Sequence, residues 1–154
     1  MKPIMSRRDL VDKEDIWNAV VSVLSDCDLD SKDPVVNEAC VVFQYYSELE
    51  SGGHESLLNW FESYIKEISI DSYIKKLIDT LEKIGAHDYA IIVKNYSQEM
   101  WSLYVALKNG ENKEDAFYGV IEKADEQYHK LNQKLENLLE TYFMRIYTEL
   151  LEVV

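Results

Sequence analysis

Glycine and proline are scarce, at 5 and 2 in 154 residues. A β-sandwich spends such residues at its many turns, so the shortage excludes a many-stranded architecture and favours long helices. Cysteine is scarce too. Cys27 and Cys40 form no CxxC pair, and two isolated cysteines in a chain of this size are expected as free, mostly buried thiols of a reducing compartment, with a single disulfide as the lesser alternative. No apolar run approaches the roughly 20 residues that span a bilayer. After Lys2, Arg7 and Arg8 come Asp9, Asp12, Glu14 and Asp15, where a signal peptide would need an apolar stretch. A cytoplasmic protein is the expectation.

Motifs that carry chemistry are missing as well. The chain has no GxSxG elbow, P-loop, GxGxxG or HExxH. His54, His87 and His129 lie far apart, and no ligand spacing joins one of them to Cys27 and Cys40 in a zinc site. His54 and His87 read as helix-end residues. Asp26-Cys27-Asp28-Leu29-Asp30 opens like a calcium-binding EF-hand loop, but Ser31 stands where the sharp turn needs Gly. Asn37 stands where a bidentate Glu is needed, and Pro34 starts a helix inside the would-be loop. The segment reads instead as a solvated acidic link between helices. No catalytic residue, metal ligand or cofactor site is expected.

Basic residues are the last shortage: 16 Lys and Arg face 29 Asp and Glu, for a net charge of −13. The excess is uneven. Residues 9–62 hold 13 acids against Lys13 and Lys32, a net of −11, while residues 63–154 come to −5 and residues 1–8 to +3. Such a chain repels nucleic acid and anionic membranes, so a target found by charge is basic.

What is present is helical periodicity, nearly throughout. A helix from Lys13 to Leu24 is capped by Asp12, with Glu14 and Asp15 at the positive end of its dipole. Asp33-Pro34 starts a second helix, running to about Glu50 and apolar over so wide an arc that it should be central. Gly52-Gly53 ends it, and a third helix covers His54 to Glu67. Asp71 or Ser72 starts a fourth, stopped by Gly85, and a fifth runs from His87 to Leu107 before Asn109-Gly110. Phe117, Val120, Ile121, Ala124, Tyr128, Leu131 and Leu135 begin a long C-terminal helical segment, Lys113 to about Leu151, expected to break near Lys123 to Asp125 with Asp125 capping the new helix. The expected fold is all-α, a single compact bundle of about six or seven helices, one domain over 1–154 with residues 1–11 as a loose tail. The 11 Tyr and 3 Trp cannot all face inward, which leaves aromatics for protein contact and leaves a homodimer open.

Ser51-Gly52-Gly53-His54-Glu55-Ser56-Leu57-Leu58-Asn59-Trp60 resembles the Gly-Gly step and following aromatic and apolar stretch of the DNA-mimic-protein family, small acidic helical bacterial domains. Leu81-Glu82-Lys83-Ile84-Gly85-Ala86-His87-Asp88-Tyr89-Ala90 resembles its Ile-Gly-Ala step between helices, and Ala124-Asp125-Glu126-Gln127-Tyr128 with the leucines up to Tyr142 resembles its terminal helix. The likeness covers residues 35–147 in order. Ser51 stands for the family's usual Asn, His54 for a Phe, and Leu57 and Leu58 for paired Phe.

The resemblance implies an all-helical fold and, for some members, occupation of a DNA-binding protein's nucleic-acid surface. The charge count agrees independently. DNA carries one negative charge per roughly 1.7 Å of axis, and carboxylates three or four apart on a helix lie about 5–6 Å from each other. The candidate partner-binding acids are Asp12, Glu14, Asp15, Asp26, Asp28, Asp30, Asp33 and Glu38. The partner expected is a basic protein, a transcription regulator or, in an immunity-type inhibitor, a toxin. A metal-dependent enzyme built on clustered carboxylates and a helical module with salt-insensitive aromatic contacts are the rivals.

Overall fold

Asp12 ends the extended N-terminal stretch and starts α1 (Lys13–Leu24). Its Oδ1 accepts from the Asp15 amide at 2.9 Å, and Asp15 Oδ2 accepts in return from the Val11 and Asp12 amides, which satisfies donors that a helix start leaves unpaired. The computed structural model describes residues 2–154. At the second start Asp33 Oδ1 accepts from Val35 and Val36, and Pro34 takes the first position of α2 (Pro34–Ile68). Residues 39–45 of α2 are buried without a break, so two turns of this helix are covered all round and it is the centre of the molecule, as its wide apolar arc requires.

Gly53 breaks the helical path of α2 at a kink, where the sequence places the end of one helix and the start of the next at His54. Its φ of 73° and ψ of −163° lie in a region almost confined to glycine, and helix resumes at His54. Beyond the bend one face is buried, with Leu57, Leu58, Phe61, Tyr64 and Ile65 inward. α3 (Ile70–Lys83) begins one residue earlier than Asp71, because Ser69 is its cap, its Oγ accepting from the Ser72 amide. Gly85, at φ 86°, closes α3, and Gly110, at φ 82°, follows α4 (His87–Lys108). Ser69 itself holds φ 83° and ψ 153°, a conformation that costs an L-residue about 1–3 kcal/mol, whereas Gly at a helix cap gives up only about a few tenths. Ser69→Gly should therefore raise stability by about 1 kcal/mol, read as a higher urea midpoint at unchanged slope.

The C-terminal segment does break, but not at Asp125. α5 (Glu114–His129) runs straight through Asp125, and the interruption falls at residues 130–133, where Asn132 and Gln133 take φ of 52° and 61°. Asn tolerates the left-handed region better than most residues. α6 (Lys134–Leu150) has no side-chain cap of its own, and its Leu135 amide donates to the Tyr89 hydroxyl at 3.1 Å instead.

Two further expectations are corrected. Residues 1–11 are not a loose tail over the described part. β1 (Ile4–Met5) pairs in parallel with β2 (Glu152–Val153), in the register Ile4–Glu152 and Met5–Val153, and a 3-10 turn over Arg7–Asp9 leads to α1. Cys27 and Cys40 are not free thiols either. The link after α1 folds back on α2, bringing their Cα atoms to 5.9 Å, and they form a disulfide.

α1 packs on α6, α3 on α2 and α4, α4 on α5, and α2 touches α3, α5 and α6, so six helices close into one compact bundle. Among the described residues no helix is long and apolar enough to cross a membrane.

Candidate partner-binding surface

The eight candidate acids divide by what their carboxylates already do. Asp12 and Asp15 are spent on the start of α1 and Asp33 on the start of α2, though all three keep negative charge at the surface. Glu14 is exposed in the first turn of α1. Asp26, Asp28 and Asp30 are exposed in the α1–α2 link, and among the described residues none of the three is in an ion pair. Asp28 Oδ1 accepts from the Asp30 amide at 2.8 Å, which turns the chain tightly and keeps these acids close. Glu38 departs from the group. It lies in α2 between Lys83 Nζ at 3.1 Å and the Tyr142 hydroxyl at 2.6 Å, tying α2 to α3 and α6.

Apart from Glu38 the acids form two clusters at opposite ends of α1, Asp12, Glu14 and Asp15 at its start and Asp26 to Asp33 beyond its end. The helix whose two ends they mark is 12 residues long, or about 18 Å at 1.5 Å per residue. Between them α1 shows Asn18 and Ser22 to solvent, and Ser25 is exposed just past its end. Asp9 and Asp15 also line an open groove of about 410 Å³ with Pro3, Met5, Val23 and Leu151.

A second set of carboxylates, which the sequence reading counted only as charge, is paired with tyrosines. Along α2, Glu38, Glu50, Glu55 and Glu62 accept hydrogen bonds from Tyr142, Tyr128, Tyr118 and Tyr104 on α4, α5 and α6. Burial and then the neighbouring carboxylate push the Tyr104, Tyr128 and Tyr142 hydroxyls far above the usual phenol range. The Tyr118 hydroxyl is raised chiefly by its hydrogen bond to Glu55. In the other direction, the hydrogen bonds from Tyr104 and Lys66 hold the Glu62 carboxyl below its ordinary value. The hydroxyls of these tyrosines are engaged as donors to carboxylates, although the Tyr118 ring stays exposed. One signal was available: nine of the 11 tyrosines follow residue 62, opposite the acid-rich half, although spacing does not say which pairs meet. Aromatics for contact remain in Trp60, 39% exposed, and Tyr118, 47% exposed.

His54 belongs to the framework. It is 2% exposed at the bend in α2, where its backbone amide and its Nδ1 reach the same oxygen, Asp125 Oδ1, at 2.8 and 2.6 Å. Asp125 thus caps the second half of α2 and not, as its sequence position suggests, a new helix in its own segment. Burial raises the Asp125 carboxyl, yet the hydrogen bonds from the His54 ring and amide and the pull of His54 and His129 outweigh it, leaving it below the usual value. His87 is the first residue of α4.

Among the described residues no group of three or more His, Cys, Asp or Glu side chains is placed to hold a metal ion. The disulfide removes both thiolates from the zinc set considered above.

A family model described as DMP19-like protein matches residues 32–146, from the acidic link to near the end of α6. No curated protein and no solved structure matches the chain.

Proposed function

Because the chain belongs to the DMP19-like protein family, we propose that it is a non-enzymatic binding protein whose acidic surface occupies the nucleic-acid-binding face of a DNA-binding protein. The observation that carries this reading is the set of exposed carboxylates at Asp26, Asp28 and Asp30, in no ion pair among the described residues and held close by the Asp28 turn. Their distance from the Asp12, Glu14 and Asp15 cluster supports it. Roughly 18 Å of helix corresponds to about five base-pair steps of duplex at 3.4 Å each, so a basic face built to track phosphates meets charge at both ends of α1. The partner contributes Lys and Arg, and association is steered at long range and weakened by salt. Among the described residues the carboxylate-metal alternative finds no group of three or more converging ligands.

The test starts from a pull-down with the native lysate, eluted by salt. A DNA-binding protein released at high salt is the expected catch, and a toxin nuclease released the same way would move the reading to the immunity-type inhibitor. Against the captured partner, the quadruple variant Asp26→Asn, Asp28→Asn, Asp30→Asn and Asp33→Asn should bind roughly tenfold or more weakly at moderate salt. Asn caps helices about as well as Asp and forms the same tight turn, so the fold survives the change. Unchanged affinity would remove the acidic link from the interface.

A further inference from the structure

The disulfide joins the acidic link to the central helix at its most charged point. Cys27 stands between Asp26 and Asp28, and Cys40 is fully buried in α2. Residues 26–33 contain four carboxylates and one lysine in eight positions. Their mutual repulsion favours spreading the link out, and little else opposes it. Two buried amides of α2 reach across: Asn37 Nδ2 donates to the Leu29 carbonyl, and Gln44 Nε2 donates to the Leu24 carbonyl at 3.2 Å. Asn37 is only half satisfied, since its buried Oδ1 has no hydrogen-bond partner. Leu29 packs at the edge of the core. The hydrogen bonds Asp30 to Asp28, Ser31 to Asp28 and Asp33 to Ser31 lie within the link, while its two ends are tied down, the Cys27 amide donating to the Leu24 carbonyl and Asp33 capping α2.

We propose that the Cys27–Cys40 disulfide is a thiol-sensitive clasp on the acidic link: oxidised, it holds the carboxylates in one arrangement against α2, and reduced, it releases them. The consequence for partner binding rests on the reading given under Proposed function, while the clasp itself does not. The reductant is a dithiol. Its thiolate attacks Sγ of Cys27, the half-buried partner, because Cys40 is out of reach. The S–S bond breaks, the electron pair passes to Cys40 sulfur, and that sulfur takes up a proton. The second thiol of the reductant then displaces Cys27, giving two protein thiols and one oxidised dithiol. Released carboxylates no longer keep a fixed spacing, so ordering them on a partner carries an entropy cost that the oxidised form has already met.

Hydrogen exchange read by mass spectrometry on the whole chain, with and without dithiothreitol, tests the clasp directly. Alkylation and intact mass report how many thiols each sample carries. Amides of residues 26–33 should exchange at least tenfold faster after reduction, with α4 and α5 unchanged. The double variant Cys27→Ser and Cys40→Ser should match the reduced protein and ignore the reductant. Equal exchange of the link in both states would overturn the clasp, as would acceleration spread evenly over all six helices. The acidic-decoy reading fails separately, if the four-Asn variant binds the captured partner as the native chain does.

Discussion

Gly53→Ala is expected to cost about 3–4 kcal/mol, a large share of the about 5–15 kcal/mol that holds a domain together. Two terms add. Backbone at φ 73° and ψ −163° strains any L-residue by about 1–3 kcal/mol. A Cβ built on Gly53 would also stand 2.7 Å from Asp125 Oδ2 and 2.9 Å from Oδ1, so the carboxylate that caps the second half of α2 must move. At about 2–4 °C per kcal/mol for a chain of this size, melting should fall by roughly 10 °C. A double-mutant cycle separates the terms. In an Asp125→Ala background the collision is gone and only backbone strain remains, so the Gly53→Ala penalty should shrink by at least about 1 kcal/mol. Strict additivity would mean that the carboxylate does not approach Gly53 as closely as the geometry has it.

Asp125→Ala is the second large effect, about 3 kcal/mol lost, because it leaves the buried His54 amide and ring nitrogen without their shared acceptor. Asp125→Asn keeps an acceptor oxygen but not the charge, and should cost about half as much. The pH dependence follows from the direction of the shift. Asp125 titrates lower in the folded chain than in an unfolded one. Its contribution is therefore complete above the ordinary carboxylate pKa, about 3.9, and is lost as pH falls through the depressed folded value. Urea unfolding of the native chain and Asp125→Asn should differ fully at neutral pH and converge in acid well below that ordinary value. A gap that stays constant down the acid limb would show that the hydrogen bonds, and not the ionised carboxylate, do the work.

These two residues also mark where local reasoning stops. Gly52-Gly53 is visible in the sequence as an interruption, and His54 as the next start. Whether the chain then turns away or bends and continues depends on what receives the His54 amide, and that acceptor comes from 71 residues further on. Asp125 looked like a cap for the helix around it, because an Asp inside a long periodic segment is a cap by default. With its carboxylate directed across to His54, nothing interrupts α5 there, and the break moved to Asn132 and Gln133. The acidic surface divides the same way. Eight acids could be named from charge alone, but only tertiary contacts separate Asp26, Asp28 and Asp30, open to solvent, from Glu38, engaged by Lys83 and Tyr142.

The sequence by itself determined the helices and most of their ends, the central place of α2 and the negative field over residues 9–62. Each rests on interactions among residues a turn or two apart, or on a sum over composition that no folding alters. Tertiary structure decided the bend at Gly53, the disulfide between Cys27 and Cys40, the pairing of the termini as β1 and β2, and the choice of which carboxylates tyrosines engage. Each of these needs a partner distant in the chain, and side-chain chemistry says what a residue can bond without saying which distant residue the packing of six helices will bring within reach.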